Sequence, residues 1–229
     1  MTRAQAPANA ARRGRPPKGA TRLSRESIVD ATLRVIDAEG VGAVGMRSVA
    51  RLLGVDAKSL YNHVHGKDGL LDAVAEHLLS GMEIPARTGD VRLDLRAIAD
   101  AFRDRALRHP EAAALTLTRQ LASLEGLAPT EALLSVLRDA GCPLEESVHL
   151  LRVFVATLVG TLLREVHAGQ AFGVGDSAVA ARRQTLERSG LPRTAEAAPH
   201  LARFDRYAEY EYTVGTAIEL MLSRASRPG

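Results

Sequence analysis

The sequence has few of the residues on which catalysis, redox chemistry and β-structure usually depend. Its 229 residues include one cysteine, no tryptophan and only 3% aromatic residues. The single Cys142 excludes a disulfide within the chain, and no serine-hydrolase, phosphate-loop or zinc signature is present. These absences argue against an enzyme, so we expect no catalytic residue, no metal ion and no cofactor.

Long apolar segments are also scarce. We find no apolar run of the length that spans a bilayer, and the first residues lack the apolar core of a signal peptide. The hydrophobic fraction of 46% is dominated by Ala, Leu and Val, a composition typical of helices. The sequence therefore predicts an all-α, cytoplasmic protein with no membrane partner.

Basic residues are distributed unevenly along the chain. Seven of them precede Glu26, the first acidic residue, although the net charge of the whole chain is only +3. The remainder, from Glu26 onward, therefore has a net charge of −4. A basic segment attached to a mildly acidic body is typical of proteins that contact nucleic acid.

Residues 1–22 are predicted to form a basic, flexible N-terminal arm, because glycine, proline and alanine are frequent there. The arm contains Arg13-Gly14-Arg15-Pro16, which resembles the core of an AT-hook. In that motif glycine lets the backbone lie in a narrow minor groove, and the flanking arginines follow its floor. Arg13 and Arg15 are therefore candidate DNA-binding residues. The alternative is a tail that only increases solubility.

Residues 23–70 show the pattern of a helix-turn-helix domain with three helices. Ser24 is a suitable N-cap for a first helix, which Gly40 is expected to end. A short second helix over Met46–Leu53 and a third over Ala57–Val64 follow, separated by three residues. We predict that this segment is the DNA-binding domain.

Three spacings within this segment support the prediction. Counted from Met46, the fifth residue is the small Ala50, which lets the two helices cross closely. The ninth is Gly54, in a turn where positive φ favours glycine, and the fifteenth is Leu60, which fills the core. All three requirements of the helix-turn-helix are therefore met.

The third helix leaves hydrogen-bonding side chains available for DNA, because burial of Leu60 and Val64 turns the others outward. Basic residues before and after it could bind phosphates on both sides of a base-reading surface. The alternative is that all of these are ordinary surface residues of a small bundle. The candidate DNA-binding residues of this domain are Arg47, Lys58, Ser59, Tyr61, Asn62, His63 and Lys67.

The same segment resembles the signature of the TetR family of bacterial regulators. Three stretches carry the resemblance: Gly54-Val55-Asp56, residues 59–64 and residues 67–74. It implies that the next helix, roughly Lys67–Met82, links the DNA-binding domain to the body and transmits the ligand signal. For single residues it implies DNA contacts by Arg47, Lys58, Ser59, Tyr61, His63 and Lys67, the last through a phosphate.

Residues 71–226 are predicted to form a larger, C-terminal helical domain. Gly126–Pro129 is expected to interrupt one helical stretch, and residues 169–199 are expected to be mostly loop, with one short helix at 179–188. Apolar periodicity predicts the other helices over 93–107, 111–124, 130–140, 144–167 and 203–224.

The C-terminal domain resembles that of the tetracycline repressor. The resemblance implies a four-helix dimer interface formed by the long helix at 144–167 and the last helix. Ile98 and Thr116 occupy positions where tetracycline-binding members carry an asparagine and a magnesium-ligating histidine, so we expect an effector other than a metal-chelated antibiotic. The alternative for each pocket residue is ordinary core packing. The candidate ligand-binding residues are Phe102, Thr116, Arg119 and Phe154.

Together these observations predict a sequence-specific transcriptional regulator that binds a double-stranded DNA operator. We expect a homodimer, because one helix-turn-helix reads only a few base pairs, and we expect a small-molecule effector to release a repressor from DNA. The competing hypothesis is an architectural DNA-binding protein that uses the basic arm and has no effector. An enzyme ranks third.

Overall fold

The computed structural model describes residues 23–119, 123–172 and 175–225. The regular elements in these ranges are helices, with no strand among them, so the predicted all-α class is confirmed. The apolar side chains form two cores, one in the N-terminal part and one in the larger C-terminal part.

The N-terminal core is built around a helix that starts and stops where the sequence indicates. Ser24 begins this helix, because its Oγ accepts a hydrogen bond from the Ser27 N–H at 3.2 Å. Gly40 ends it with a φ of 81°, a conformation that favours glycine. The helices of this part are α1 (Arg25–Glu39), α2 (Met46–Leu53), α3 (Ala57–Leu60) and α4 (Gly66–Ser80).

Helices α2 and α3 form the predicted helix-turn-helix. Ala50 is buried, and Gly54 adopts a left-handed φ of 68° in the turn. The third helix is shorter than predicted, because α3 ends at Leu60 and residues 61–63 form a turn. The chain must change direction there before α4, whose first residue, Gly66, has a φ of 69°.

The C-terminal part begins with a capped helix. Asp90 caps it, because its Oδ1 accepts hydrogen bonds from the N–H groups of Arg92 and Leu93 at 2.8 and 3.1 Å. The first helices of this part are α5 (Val91–Ala106), α6 (Pro110–Ala113), α7 (Leu115–Thr118), α8 (Leu124–Asp139) and α9 (Leu144–Phe172).

The predicted interruption at Gly126–Pro129 is wrong, because both residues lie within α8. Ser123 is the N-cap of this helix, and its Oγ accepts a hydrogen bond from the Gly126 N–H at 3.1 Å. Pro129 lies near the start of the helix and removes one intrahelical hydrogen bond. Burial of Leu133 and Leu137 against the core stabilises the later turns.

Residues 169–199, expected to be mostly loop, are largely helical where the structure describes them. Glycine and proline separate short helices here instead of preventing them. Pro192, for example, lies in the first helical turn, where its fixed φ is favourable. The remaining helices are α10 (Asp176–Glu187), α11 (Pro192–Glu196), α12 (Ala198–Leu201) and α13 (Arg206–Ala225).

The two cores meet along α4. Its residues Leu70 to Leu78 pack in the N-terminal core, whereas Leu79 packs against the C-terminal core. Helix α6 also contacts both cores, since Ala112 belongs to the first and Ala113 to the second. Packing therefore changes from one core to the other near the end of α4.

Helix α9 corrects the expectation about apolar runs. The stretch Leu144–Ala168 is long and apolar enough to cross a membrane by length and composition alone. Phe154, Leu158 and Leu162 of this stretch, however, are buried in the C-terminal core. The apolar character of α9 is therefore used in packing against α5, α8 and α13.

The loop before α5 is held by a buried carboxylate. Asp94 Oδ1 accepts hydrogen bonds from the N–H and the hydroxyl of Thr88 at 2.7 and 2.8 Å. Its Oδ2 accepts from the Gly89 N–H at 3.3 Å and forms an ion pair with Arg87 at 3.5 Å. These donors hold the pKa of Asp94 below its ordinary value of 3.8, and the Thr88 N–H has the largest effect.

We expect Asp94→Asn to lower the melting temperature at pH 7 by about 2–4 °C, because the charge that these donors stabilise is lost. A lowered pKa stabilises the folded protein at pH above the ordinary value, and this stabilisation is lost as pH falls through the folded pKa. The difference between the variant and the wild type should therefore shrink in acid. Thermal melts of both proteins at a series of pH values from 7 downward measure this difference in melting temperature.

Asp139→Asn is the matched control, since Asp139 also pairs with Arg87 but has a side chain that is 67% exposed. It should change the melting temperature little at any of these pH values. An Asp94→Asn difference that stayed constant into acid would contradict the charge-based explanation.

Candidate nucleic-acid interface and ligand cavity

The predicted DNA-binding side chains of the helix-turn-helix domain lie at the start of α2, on α3, in the turn after it and at the start of α4. Tyr61 is 55% exposed, and Ser59 and His63 are half-buried. The other members of the set, Arg47, Lys58, Asn62 and Lys67, are exposed.

Helix α3 is held rigidly beneath these side chains. Asp56 caps it through a hydrogen bond from the Lys58 N–H to Oδ1 at 2.7 Å. Leu60 and Val64 are buried in the N-terminal core. With one face fixed in this way, the opposite face of α3 presents Lys58 and the neighbouring Tyr61 to solvent.

Three cations on this surface are free to bind phosphate. Within the ranges that the structure describes, Arg47, Lys58 and Lys67 have no carboxylate within ion-pair distance. Lys67 Nζ donates a hydrogen bond to the Gly42 carbonyl at 3.2 Å, which positions it beside the loop that leads into α2. An anionic backbone could therefore be bound without breaking an internal ion pair. Arg13 and Arg15 lie outside the described residues.

A cavity of about 400 Å³ lies between the end of α4 and helices α5, α7, α8 and α9. This volume falls within the range of small-molecule pockets, roughly 300–1,000 Å³. Ten of its lining side chains are apolar, and the three polar ones are Thr116, Thr130 and Arg152. The cavity could therefore hold a largely apolar molecule that makes few polar contacts.

Three of the four predicted ligand-binding residues line this cavity: Phe102, Thr116 and Phe154. Arg119, the fourth, is not among the lining residues, because its guanidinium is directed to Asp68 at 2.8 Å and to Asp72 at 3.5 Å. Both of these aspartates lie on α4. Arg119 therefore fastens α7 to the helix that joins the two cores.

Sequence reasoning missed two polar lining residues, Thr130 and Arg152. Thr130 was placed at the start of a helix after a supposed break, where nothing indicated its direction. Arg152 had a signal that was not used, because it is a cation within the long apolar stretch of α9. Leu151 and Phe154, which lie one residue before Arg152 and two residues after it, also line the cavity.

The lining does not suit a metal-chelated ligand. Among the described residues, the lining contains no carboxylate, imidazole or thiol, and these are the side chains that usually bind metal ions in proteins. In residues 23–119, 123–172 and 175–225 no group of three or more His, Cys, Asp or Glu side chains could hold a metal ion. Ile98 and Thr116, the two positions at which the resemblance implied a difference from tetracycline-binding proteins, both line the cavity.

The cavity and the N-terminal core are connected through the end of α4. Leu79 lines the cavity one residue after Leu78, which is buried in the N-terminal core. Arg105 of α5 donates a hydrogen bond to the His77 carbonyl at 3.1 Å. Burial lowers the pKa of His77, and the Arg105 guanidinium adds to this effect.

Gly81 shows how closely Arg105 packs against this helix end. A Cβ at Gly81 would lie 2.7 Å from the guanidinium of Arg105, so a larger residue would force the arginine to move. The end of α4 is therefore held by α5, which also carries Phe102 into the cavity.

A shallow groove runs along the outside of α9 and α13. Small side chains line much of it, including Ala156 and Gly160 of α9 and Thr213 of α13. Val153 of α9 and Leu220 of α13 are 45% and 44% exposed, although both are large and apolar. We call the groove defined by Ala156, Gly160 and Thr213 the outer groove.

A helix-turn-helix joined through one shared helix to a larger helical body is the architecture of a class of DNA-binding transcriptional regulators. Comparison with known families shows which family of that class the chain belongs to. Residues 28–74 match the family described as "Bacterial regulatory proteins, tetR family", and residues 85–222 match "Tetracyclin repressor-like, C-terminal domain". The chain belongs to the TetR family, as the resemblance predicted.

Curated relatives support this assignment over part of their length. An HTH-type transcriptional regulator of Saccharopolyspora erythraea is 37% identical over 120 residues, which cover 52% of this chain and 51% of the relative. The HTH-type transcriptional repressor DrrR1 of Streptomyces coeruleorubidus is 30% identical over 162 residues, or 70% of this chain and 59% of DrrR1. The chain thus spans between half and three fifths of these relatives.

Solved structures agree with the fold over nearly the whole chain. A possible TetR family transcriptional regulator from Streptomyces coelicolor A3(2) is 27% identical, with a TM-score of 0.73, and the match covers 89% of this chain and 100% of that one. ActR of Streptomyces coelicolor, in a complex with actinorhodin, has a TM-score of 0.76 at 23% identity, covering 90% and 99%. The two-part helical architecture is therefore confirmed.

Proposed function

We propose that this protein is a sequence-specific DNA-binding repressor that a small-molecule effector releases from its operator, and that it has no catalytic activity. The observation that carries the proposal is the shared helix α4. Its N-terminal residues pack with the helix-turn-helix, and Leu79 near its C-terminal end lines the cavity. A ligand that displaced Leu79 or Met82 would therefore move α4 relative to the DNA-binding surface.

The proposed DNA contacts divide into two kinds. Arg47 and Lys67, at the edges of the surface, bind phosphates and set the position of the domain. The polar residues of α3 and of the following turn enter the major groove and read base edges. The basic arm that carries Arg13 and Arg15 adds contacts in a neighbouring minor groove. The proposed base-reading residues are Lys58, Ser59, Tyr61, Asn62 and His63.

The proposed effector site is the cavity, with Phe102, Thr116 and Phe154 among its contacts. ActR, which shares the fold, has been solved with actinorhodin bound, so a small molecule is compatible with this architecture. Arg119 has a different role in this proposal. Its ion pairs with Asp68 and Asp72 would transmit a shift of α7 to α4.

We propose that the protein acts as a homodimer in the cytoplasm, with α9 and α13 facing the partner subunit. The small side chains of the outer groove would let helices of two subunits approach closely, and the exposed Val153 and Leu220 would be buried. A dimer would also carry two helix-turn-helix domains at the spacing that a palindromic operator requires.

Selection of binding sites from random DNA tests the proposal. We expect a pseudo-palindromic operator, bound about a thousandfold or more tightly than scrambled DNA of the same length. Tyr61→Ala should weaken operator binding by about 1–3 kcal/mol and relax the preference at one position of each half-site. Lys67→Ala should weaken binding to all sequences and reduce the salt slope by about one.

The control is Leu124→Ala, which truncates a large exposed side chain on α8, outside the helix-turn-helix and the proposed dimer interface, and should leave DNA binding unchanged. Fluorescence anisotropy at several salt concentrations measures all of these affinities. Binding of similar strength to every DNA sequence would contradict a repressor and favour an architectural DNA-binding protein.

A further inference from the structure

One charged side chain, Arg152, is found in the lining of the cavity. It lies on α9 and is exposed to solvent. Among the residues that the structure describes, it has no carboxylate within ion-pair distance and no hydrogen-bond acceptor. The cavity thus combines an apolar interior with an unneutralised cation whose exposure places it at the opening.

The other polar groups of the lining are two hydroxyls. Thr116 Oγ1 donates its hydrogen to the Ala113 carbonyl at 2.8 Å, so it can only accept a further hydrogen bond. The hydroxyl of Thr130 has no hydrogen-bond partner within the described part of the chain and can donate. Of the three polar groups that the described residues contribute, Arg152 and Thr130 can therefore donate to a bound molecule, and none of these residues brings a negative charge to the lining.

We propose that the effector is an amphipathic organic anion, with an apolar body in the cavity and one carboxylate or sulfonate-like group bound by Arg152. This inference rests on the proposed function, because it assigns a ligand class to the same cavity. The ten apolar lining side chains provide the surface for the body, and the guanidinium can bind an anionic group through two parallel hydrogen bonds. A cationic ligand would be repelled at the same position.

Two fluorescent probes that differ by one anionic group provide the test. The probes are 8-anilinonaphthalene-1-sulfonate and N-phenyl-1-naphthylamine, which has the same aromatic body without the sulfonate. Both become bright in apolar surroundings, and the chain has no tryptophan to interfere. We expect the sulfonate to bind the wild-type protein more tightly than the uncharged probe.

Arg152→Gln should weaken binding of the sulfonate by about three- to tenfold, a range set by the solvent exposure of the arginine. Binding of the uncharged probe should not change. Arg206→Gln is the matched control, since it removes an exposed cation from α13 that is not part of the cavity lining, and it should affect neither probe. Val155→Phe should weaken both probes, because Val155 lines the cavity.

Two results would count against the inference, and they are distinguishable. If Arg152→Gln left the ratio of the two affinities unchanged, the anionic class would be rejected while the cavity remained a ligand site. If Val155→Phe left both probes unaffected although the variant folded with a wild-type circular dichroism spectrum, the probes would bind elsewhere. The cavity would then be rejected as the effector site, and with it that part of the proposed function.

Discussion

Gly160→Arg should convert the protein to a monomer that folds normally and binds its operator at least about a hundredfold more weakly, since specific binding needs two half-sites. Gly160 is exposed on α9 in the outer groove. Apart from the neighbouring backbone of α9 itself, no heavy atom of the described residues lies within 4 Å of the position that a Cβ would occupy there. The new side chain would therefore extend from the surface without disturbing its own subunit.

The size of the effect follows from the geometry of paired binding. When two helix-turn-helix domains are linked in a dimer, binding of the first to DNA makes binding of the second intramolecular. A single domain lacks this advantage and contacts half as many phosphates. Placing an arginine opposite its symmetry-related copy would add a like-charge contact in the interface. Loss of dimers and loss of tight operator binding should therefore occur together.

Sedimentation velocity at micromolar concentration and operator titration measure these two properties. Ala128→Arg is the control, because it adds the same side chain at an exposed position of α8, away from the outer groove, and should leave both unchanged. A wild-type protein that sediments as a monomer while binding a palindrome tightly would overturn the dimer proposal.

Leu60→Ala should destabilise the DNA-binding domain by about 2–5 kcal/mol, the range observed when a buried leucine is truncated. Leu60 has no exposed surface and anchors α3 in the N-terminal core. The truncation would leave a cavity beneath the base-reading surface. Because α3 is only one turn long, its remaining capping bond from Lys58 to Asp56 could not hold it in place.

Urea unfolding monitored by circular dichroism measures this loss of stability as a lower urea midpoint for the DNA-binding domain. Leu52→Ala is the matched control, since it deletes the same atoms from a side chain of α2 that is 47% exposed. It should change stability by no more than about 0.5 kcal/mol. Similar midpoints for the two variants would show that Leu60 does not support α3 as the structure indicates.

The sequence alone determined the features that depend on neighbouring residues. The Ser24 cap, the left-handed Gly54, the small Ala50 and the buried Leu60 were all predictable, because each requirement acts within one turn or between two adjacent helices. The basic arm and the exposed cations near α3 were likewise visible as charge patterns. Family resemblance then indicated the whole architecture from these local signals.

Periodicity was less informative in the C-terminal part. Gly126 and Pro129 were taken as a break, although packing of Leu133 and Leu137 stabilises a helix that runs past them. In the same way, glycines and prolines in residues 169–199 suggested a loop where short helices form. Local propensity is worth about 1 kcal/mol for glycine, and burial of a few apolar side chains outweighs it.

Only the tertiary structure decided which residues form the cavity. Its lining comes from α4, α5, α7, α8 and α9, so membership depends on how these helices are placed against one another. Arg119 looked suitable in the sequence but pairs with α4. Thr130 gave no signal and Arg152 only its charge within an apolar helix, yet both line the cavity. Helical spacing shows which face of a helix is buried, but it carries no information about which other helix that face will meet.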